Sequence, residues 1–311
     1  MKIKIITLIL FLFVFDSLGF AKMLKRTKIA MGTFVSISLD ARYKREFRTA
    51  FEIVKRVDTS LSSYKKESPI YRLNAVKKAK LDSYSYAALR LAEEYYQRTD
   101  GYFNVAVGSV TKDLYKFGEE EQIPSNAALH KSNVDLSTLV FDKTYATLGK
   151  NVKIDLGGMG KGFCLDRVSE YFKKRGIQNV KIAASGDIRC LGKCNIEVFN
   201  PLDKEPLARF ETKYDDMGIS TSGSYNRYVQ TQRHNHLINP KTKESQRSFI
   251  SMTLVSKLPS SDLDAYATAA SVMPYEKALK FLDSLNVGYI ILDRQKKLLF
   301  SKNIDMFILR Q

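Results

Sequence analysis

The sequence contains no tryptophan, and only three histidines and three cysteines occur among its 311 residues. No two cysteines form a Cys-x-x-Cys pair, which argues against a dithiol redox motif or a zinc finger. Cys190 and Cys194 flank a Leu-Gly-Lys turn. A disulfide across this turn fits an oxidising compartment, although the spacing alone does not establish the bond. Cys164 is expected to be a packed thiol rather than a reactive one.

Acidic residues are in the minority, with 33 Asp and Glu against 50 Lys and Arg, and the formal net charge is +17. The basic residues are nevertheless scattered among acids, as in KKESPIYRLNAVKKAK at 65–80. The aromatic and basic signatures of RNA-binding modules are missing, so we expect no nucleic-acid partner. A solvated, lysine-rich surface is the simpler interpretation, and it is compatible with a ligand that carries phosphate.

Long hydrophobic runs are rare, and the clearest one lies at residues 5–15, behind two lysines. This run is short for a bilayer span, and small residues precede a plausible cleavage site after Ala21. The pattern predicts a signal peptide at 1–21, with an uncleaved membrane anchor as the alternative. Residues 22–311 would then form a single domain that is exported to a bacterial periplasm.

The regular strand–helix alternation of a doubly wound parallel sheet is also missing. Apolar residues spaced by three or four predict helices at 43–61, 84–99, 105–117, 161–174, 262–273 and 274–285. Strands are expected at 27–39, 152–156, 178–184, 195–199, 207–213, 217–221, 250–256, 288–293 and 297–301, with a further hairpin at 226–239. The polar stretch 118–133 is expected to be a loop or lid with an exposed His130. This mixture indicates an α+β fold with mixed, largely antiparallel sheets and packed helices.

The stretch KIDLGGMGKGFCLD at 153–166 places four glycines and Lys161 between a strand-like run and a helix-like run. It is not a P-loop, because Asp155 replaces the first glycine and Gly162 replaces the hydroxyl residue. The dinucleotide-binding fingerprint Gly-x-Gly-x-x-Gly does not match either, because only one residue separates Gly160 from Gly162. An anion is favoured by the unobstructed backbone amides, by the N-terminus of the following helix and by the charge of Lys161. The carboxylate of Asp155 instead suits a hydrogen bond to a sugar or base. A tight packing turn without a ligand is the alternative.

Asp264 and Thr268 stand four residues apart in SSDLDAYATAASVM, so a helix places them on one face. Their carboxylate and hydroxyl oxygens are ligands for a hard cation such as Mg²⁺. The alternative is purely structural, with a nearby residue capping the helix and Thr268 packed.

His234 and His236 alternate in QRHNHLINPKT and would point to one side of a strand. A zinc pair lacks partners, because only one other histidine exists in the sequence. A single general base is the better functional interpretation, and a structural histidine is the alternative. The hydroxyl-rich stretch 218–228 suits a polar ligand wall, but this indication is weak.

Together these segments resemble the ApbE-type flavin transferases (FAD:protein FMN transferases) over about residues 27–308. The motifs occur in register: MGT at 31–33, SSYKKESPIYRLN at 62–74, DGYFNVAVGSV at 100–110, IDLGGMGKG at 154–162, SGDI at 185–188, GISTSGSY at 218–225, HLINP at 236–240 and LDAYATA at 263–269. Each motif is weak alone, but eight in order over this span are specific to the family.

The resemblance implies an enzyme that binds FAD and Mg²⁺ and moves FMN onto a Thr or Ser hydroxyl of an acceptor protein, releasing AMP. His236 would be the base. Asp264 and Thr268 would bind Mg²⁺ through side chains, and Gly158 through its carbonyl. The remaining matches are positions that contact FAD: Met31, Tyr64, Tyr102, Phe103, Asn104, Asp155, Lys161 and Ile238. The acceptor would be an exported or membrane-bound redox protein with a DGxTGAT-like segment.

The sequence departs from the family pattern at several positions. Asn104 and Asn239 stand where aspartate is common, and Gly160 replaces the usual alanine before Lys161. Ser185 replaces the first glycine of the pair before Asp187, and the turn after Pro240 lacks its usual Thr-Gly. The departures bear on cofactor affinity and acceptor fit, because none removes a proposed metal ligand, Lys161 or His236.

Two alternatives use the same residues differently. A pyrophosphatase would let water replace the acceptor and convert FAD into FMN and AMP. A non-catalytic flavin-binding or scavenging protein would not need His236 for function. In every case the resemblance implies two interleaved halves of sheet and helix, with the flavin in the cleft between them.

Overall fold

The computed structural model describes residues 22–311, so the predicted signal peptide at 1–21 lies outside the described residues. The strands are β1 (Met23–Ala30), β2 (Thr33–Asp40), β3 (Lys78–Lys80), β4 (Val140–Phe141), β5 (Tyr145–Thr147), β6 (Val180–Ala184), β7 (Asp187–Leu191), β8 (Asn195–Val198), β9 (Ala208–Thr212), β10 (Asp216–Gly223), β11 (Phe249–Ser256), β12 (Gly288–Asp293), β13 (Leu298–Phe300) and β14 (Ile308–Arg310).

The helices are α1 (Glu46–Leu61), α2 (Pro69–Val76), α3 (Ser83–Arg98), α4 (Gly108–Thr111), α5 (Asn126–Lys131), α6 (Gly160–Lys174), α7 (Ser260–Val272) and α8 (Tyr275–Asp283). Short 3-10 turns occur at Ala41–Tyr43, Leu136–Thr138, Gln232–His234 and Ile304–Met306. Within residues 22–311, no helix combines the length and apolar character needed to cross a bilayer.

The main sheet has eight strands in the order β1-β2-β6-β7-β10-β11-β12-β13, and each neighbouring pair is antiparallel. Two three-stranded sheets, β14-β9-β8 and β3-β5-β4, complete the described chain. The sequence-based prediction of an α+β fold with largely antiparallel sheets is therefore confirmed.

Apolar side chains lie on both faces of the main sheet. Along β11, Met252 and Leu254 join the large core with the helices, whereas Val255 joins a second core with the β14-β9-β8 sheet. In β12, Ile291 belongs to the first core and Ile290 to the second. Successive strand residues point to opposite faces, so strands covered on both sides are apolar throughout.

Several sequence-based predictions were wrong about local structure. Residues 27–39 form two strands rather than one, because Met31 and Gly32 adopt positive φ (56° and 69°) and turn the chain into a hairpin. The segment 105–117 is helical only in α4. Gly108 packs so closely on residue 153 that an added Cβ would lie 2.4 Å from the Lys153 carbonyl oxygen.

Three further differences involve loops. Residues 152–156 form no strand but make a single parallel bridge, between Val107 and Lys153. The predicted loop at 118–133 contains α5, which Ser125 caps, although His130 is exposed as expected. The 226–239 hairpin is reduced to one bridge, between Tyr228 and Asn235, around a 3-10 turn. Short helices and irregular turns lack the sustained periodicity that reveals longer elements.

Cys190 and Cys194 are joined in a disulfide that links the end of β7 to the start of β8. Cys164 is a buried thiol on α6, and burial raises its pKa to about 12. It is therefore protonated at neutral pH, which agrees with a packing role.

Candidate active site

The first turns of α6 and α7 meet at close range. Gly162 lies against the start of α7, where an added Cβ would come within 2.2 Å of the Ser260 carbonyl oxygen. Asp166, one turn further along α6, accepts hydrogen bonds from the Ser260 and Ser261 N–H groups at 2.7 and 2.9 Å. One helix thus caps the other, since those N–H groups have no partner within α7.

This contact brings Asp264 and Thr268 to the glycine turn. Asp264 Oδ2 accepts a hydrogen bond from the Gly162 N–H at 3.0 Å, and Thr268 Oγ1 donates to the Gly158 carbonyl at 3.2 Å. Gly158 permits this approach, because an added Cβ would lie 2.9 Å from Thr268 Cγ2. The two helix residues and the glycine turn therefore converge on one place.

The three oxygens fit a small divalent cation. A carboxylate, a hydroxyl and a peptide carbonyl are hard ligands, and Mg²⁺ typically takes one or two carboxylates and completes its shell with water and phosphate. No group of three or more His, Cys, Asp or Glu side chains suited to a metal occurs within residues 22–311. The protein supplies only these three oxygens, so a cation here would complete its shell with water or with phosphate oxygens.

Lys161 lies between two buried carboxylates. Its Nζ is 2.9 Å from Asp187 Oδ2 and 3.4 Å from Asp264 Oδ1. Burial alone would lower the pKa of Lys161, but the two carboxylates outweigh it and raise that pKa. Burial and the neighbouring Asp187 raise the pKa of Asp264 above its usual value. Lys161 is thus charged at neutral pH. It lies beside Asp264, whose ionised form is disfavoured by burial and by Asp187.

Asp155 begins the turn and is held by its surroundings. Its Oδ2 accepts from Thr111 at 2.8 Å and lies 3.6 Å from Lys112 Nζ, while its Oδ1 accepts from the Gly157 N–H at 3.0 Å. Burial acts to raise the pKa of Asp155. The Lys112 charge and these hydrogen bonds outweigh burial, so the pKa is lowered and the carboxylate is ionised.

His236 is half-buried and neutral. Its Nδ1 lies 3.1 Å from the Arg227 carbonyl oxygen, which can only accept, so Nδ1 carries the hydrogen and Nε2 keeps a free lone pair. Burial and the charges of Arg227 and Lys161 lower its pKa to about 4, and Asp155 opposes them. His236 therefore shares one electrostatic environment with the glycine turn.

Tyr64 joins three segments beside this histidine. Its hydroxyl lies 2.7 Å from the Phe117 carbonyl and 3.1 Å from Arg227 Nη2, and it also contacts the Lys112 ammonium group. Two cations therefore converge on one phenol, with Asp155 as the nearby carboxylate. This arrangement makes the end of the site near His236 electropositive.

Two of the other residues predicted to contact a cofactor lie beside the glycine turn. Met31 Cε would lie 3.5 Å from a Cβ at Gly160, and Phe103 Cε2 would lie 3.4 Å from one at Gly158. Tyr102 is flanked by the Lys241 and Lys277 ammonium groups, at 5.5 and 4.6 Å from its ring centre.

Asn104 and Ile238 are buried. The Asn104 amide bonds the Val134 carbonyl and the Ala106 N–H at 2.9 and 2.8 Å, so backbone groups already engage it. Ile238 packs in a small apolar cluster with Val110 and Phe117. The cofactor-binding roles of these residues stay predictions.

Sequence reasoning missed residues that the structure places in the site. Lys112 was hidden inside a predicted helix, and Arg227 lies in a segment that was predicted to be a hairpin. Asn74 bonds both backbone groups of Ile154, at 2.7 and 2.8 Å, and thereby holds the strand-like entry to the turn. Asn74 and Asp187 each lie in a motif that the sequence shares with the family, and this membership could have identified them as site residues.

Known proteins are similar to this chain in sequence and in fold. The sequence model of the ApbE family matches residues 31–291. The chain is 27% identical to the FAD:protein FMN transferase of Escherichia coli K12 over 279 aligned positions, which cover 80% of this chain and 78% of that protein. It is also 27% identical to the FAD:protein FMN transferase of Haemophilus influenzae over 327 positions, which cover 94% of each.

Solved structures share the fold. The ApbE protein from Thermotoga maritima aligns with a TM-score of 0.85 at 22% sequence identity, covering 93% of this chain and all (100%) of that one. The flavin transferase ApbE from Vibrio cholerae aligns with a TM-score of 0.79 at 22% identity, covering 92% and 99%.

The relatives are named as transferases, which confirms the prediction from the sequence that this protein is a transferase. The chain belongs to the ApbE family.

Proposed function

We propose that this protein is an exported, Mg²⁺-dependent FAD:protein FMN transferase. The observation that carries the proposal is the convergence of the Gly158 carbonyl, the Asp264 carboxylate and the Thr268 hydroxyl beside Lys161. A diphosphate supplies the phosphate oxygens that this small ligand set lacks. The shared name of the relatives supports FAD as the source of that diphosphate.

The chemical step is an attack on phosphorus. The acceptor hydroxyl oxygen bonds to the phosphorus on the FMN side, the bridging P–O bond breaks, and AMP leaves with that electron pair. The hydroxyl proton goes to His236 Nε2, whose lone pair the Arg227 carbonyl leaves free. Bound Mg²⁺ would neutralise charge on the diphosphate oxygens. Lys161 supplies a second, fixed positive charge to the same oxygens.

The protein positions the two ends of FAD through different segments. Asp155 presents an ionised carboxylate that suits a sugar or base donor, and the aromatic rings offer stacking surfaces. The residues that we assign to FAD contact are Met31, Tyr64, Tyr102, Phe103, Asn104, Asp155, Lys161 and Ile238.

The proposed acceptor is an exported or membrane-bound redox protein with a DGxTGAT-like segment. The Cys190–Cys194 disulfide supports an oxidising compartment such as the periplasm, because such bonds rarely persist in a reducing cytosol.

A mass shift tests the proposal. Purified protein is incubated with FAD, Mg²⁺ and a peptide that carries the acceptor segment, and the peptide should gain the mass of one FMN. His236→Ala should bind FAD but transfer about 10²–10⁴-fold more slowly, the scale of losing a general base. His130→Ala is the control, because His130 is exposed and outside the site. No adduct at any metal concentration or pH, despite FAD binding, would refute the proposal.

Pyrophosphatase activity is the second candidate, because the lone pair on His236 Nε2 can also deprotonate water. AMP release without any acceptor distinguishes the two activities. Release that is slow alone and fast with peptide supports transfer, whereas equal release supports hydrolysis.

A further inference from the structure

The SGDI motif at 185–188 has no role in the proposed chemistry, yet it places a carboxylate in the site. Asp187 is the first residue of β7 and is 1% exposed. It follows a tight turn in which Ser185 has a positive φ of 56°. Asp187 pairs with Ala184 on β6, and the next residue, Ile188, pairs with Ile219 on β10. The carboxylate is therefore fixed by the main sheet.

Two groups engage the Asp187 carboxylate. The Ser220 hydroxyl on β10 donates a hydrogen bond to Oδ1, and the Lys161 ammonium lies 2.9 Å from Oδ2. Ser220 is itself 1% exposed. The same ammonium donates to Asp264 Oδ1 at 3.4 Å and to Asp264 Oδ2 at 3.5 Å, which are longer contacts. The Lys161 ammonium thus lies closer to Asp187 than to Asp264.

A divalent cation at Asp264 would compete with this ammonium for the same oxygens. The Lys161 side chain is 26% exposed, so water solvates its charge only in part and a second carboxylate would ease its departure from Asp264. Asp187 is that carboxylate, because its side chain is 2% exposed and Ser220 fixes its orientation. Without the Asp187 charge, Asp264 would be the only carboxylate of the pair left for the ammonium.

We propose that Lys161 competes with the divalent cation for Asp264, and that Asp187 is the positioning residue that holds Lys161 back. The inference deepens the proposed function and rests on its cation site. It assigns Asp187 neither to the cation nor to the reacting atoms. The Asp187 carboxylate acts through the lysine, and Ser220 acts through Asp187.

The test is a double-mutant cycle on metal affinity without flavin. Mn²⁺ alone is the probe, and free Mn²⁺ is counted by electron paramagnetic resonance in four proteins: wild type, Asp187→Asn, Lys161→Met and the double variant. Removing a neighbouring charge at this range changes the affinity of a buried group for a cation by about tenfold or more. We expect Asp187→Asn to weaken Mn²⁺ binding about tenfold when Lys161 is present and less than about threefold in the Lys161→Met background.

Two variants guard the interpretation. Asp216→Asn removes a charge from the distal end of β10, where Asp216 pairs with Arg189 and Lys173, and should leave Mn²⁺ affinity unchanged. Ser220→Ala keeps every charge but frees the Asp187 carboxylate. Ser220→Ala should therefore weaken Mn²⁺ binding, as Asp187→Asn does. It replaces Asp187→Asn in the test if circular dichroism shows that Asp187→Asn does not fold.

Equal losses from Asp187→Asn with and without the Lys161 ammonium group would overturn the inference, because Asp187 would then act directly on the cation. Undetectable Mn²⁺ binding in all four proteins would also overturn it. The proposed function has its own readout, the FMN adduct of the wild type. If the wild type forms the FMN adduct but Asp187→Asn weakens Mn²⁺ binding equally in both backgrounds, only the inference is rejected. If the double-mutant cycle gives the expected result but no FMN adduct forms, only FMN transfer is rejected.

Discussion

After burial, Arg227 is the neighbour that most determines the protonation state of His236. The carbonyl of Arg227 fixes the hydrogen on Nδ1, and its guanidinium charge, after burial, lowers the pKa of the imidazole. The side chain of Arg227 is held in turn by the Tyr64 hydroxyl at 3.1 Å. A neutral imidazole with a free Nε2 is the form that a base requires.

The pH profile should reveal this environment. The pKa of His236 is lowered to about 4, so the base gains its lone pair as the pH rises through that value. We expect the acid limb of kcat/KM, which reports the free enzyme, near pH 4 instead of the ordinary ~6.5. Bound diphosphate favours the imidazolium and should move the limb of kcat to higher pH. A kcat/KM limb near ~6.5 would contradict the assigned environment.

Asp264→Asn tests the carboxylate in the ligand set. The amide can still accept from the Gly162 N–H, but it loses the charge that attracts a cation. FMN transfer should fall about a hundredfold or more, the scale of losing one preorganised electrostatic group, and should recover partly at high Mg²⁺. Asp262→Asn is the matched control, because it removes a charge from the same helix where Asp262 bonds Tyr95. Full activity of Asp264→Asn at low Mg²⁺ would contradict the metal assignment.

The sequence identified the residues of the site that lie in recognisable patterns and missed those that act through distant partners. Asp264 and Thr268 were predicted together because helical spacing places them on one face. Lys112 and Arg227 were missed because their partner, Tyr64, is 48 and 163 residues away along the chain. Spacing carries no information about contacts of that range.

Among the elements, α6 and α7 define the site by their contact. Gly162 touches the first residue of α7, and Asp166 caps its N–H groups, so the two helices cannot shift independently. The ligands on α7 therefore keep a fixed distance from the glycine turn that begins α6.

Gly162→Ala should break this contact. Alanine normally favours a helix over glycine, but here its Cβ would lie 2.2 Å from the Ser260 carbonyl oxygen. We expect a loss of about 1–3 kcal/mol in the free energy of unfolding, measured by urea denaturation. Gly160→Ala, whose Cβ would meet only Met31 at 3.5 Å, is the control and should not destabilise the protein. Equal stabilities of the two variants would show that the helices can separate at little cost.

Long amphipathic helices were predicted well, whereas short segments were not. α1 buries apolar residues spaced by three and four, and the predicted helix at 43–61 differs from it only at the start. The predicted helix at 105–117 failed because tertiary contacts of Gly108 with residues 153 and 154 override local periodicity. No local pattern reports such a contact.

At the scale of the whole described chain, one main sheet contains strands that lie between residue 23 and residue 300. Its two faces carry separate apolar cores, one with the helices and one with the β14-β9-β8 sheet. Cys190 lies fully buried in the second core, at the opposite end of β7 from Asp187. The disulfide thus ties this core to the strand that also reaches the site.

Cys194→Ser should lower global stability. The disulfide closes a short loop between residues four apart, for which the chain-entropy estimate is about 2 kcal/mol. Urea denaturation of the variant and of the wild type, each without reductant, measures the difference. Adding dithiothreitol to the wild type should reproduce the loss. A wild type that is equally stable with and without reductant would contradict a stabilising role for the bond.

Anomalous diffraction from a crystal grown with FAD and Mn²⁺ tests the central claim most directly. We predict one manganese peak in contact with the Gly158 carbonyl, the Asp264 carboxylate and the Thr268 hydroxyl, and also with the FAD diphosphate. A manganese peak elsewhere, or a diphosphate bound away from these three oxygens, would contradict it.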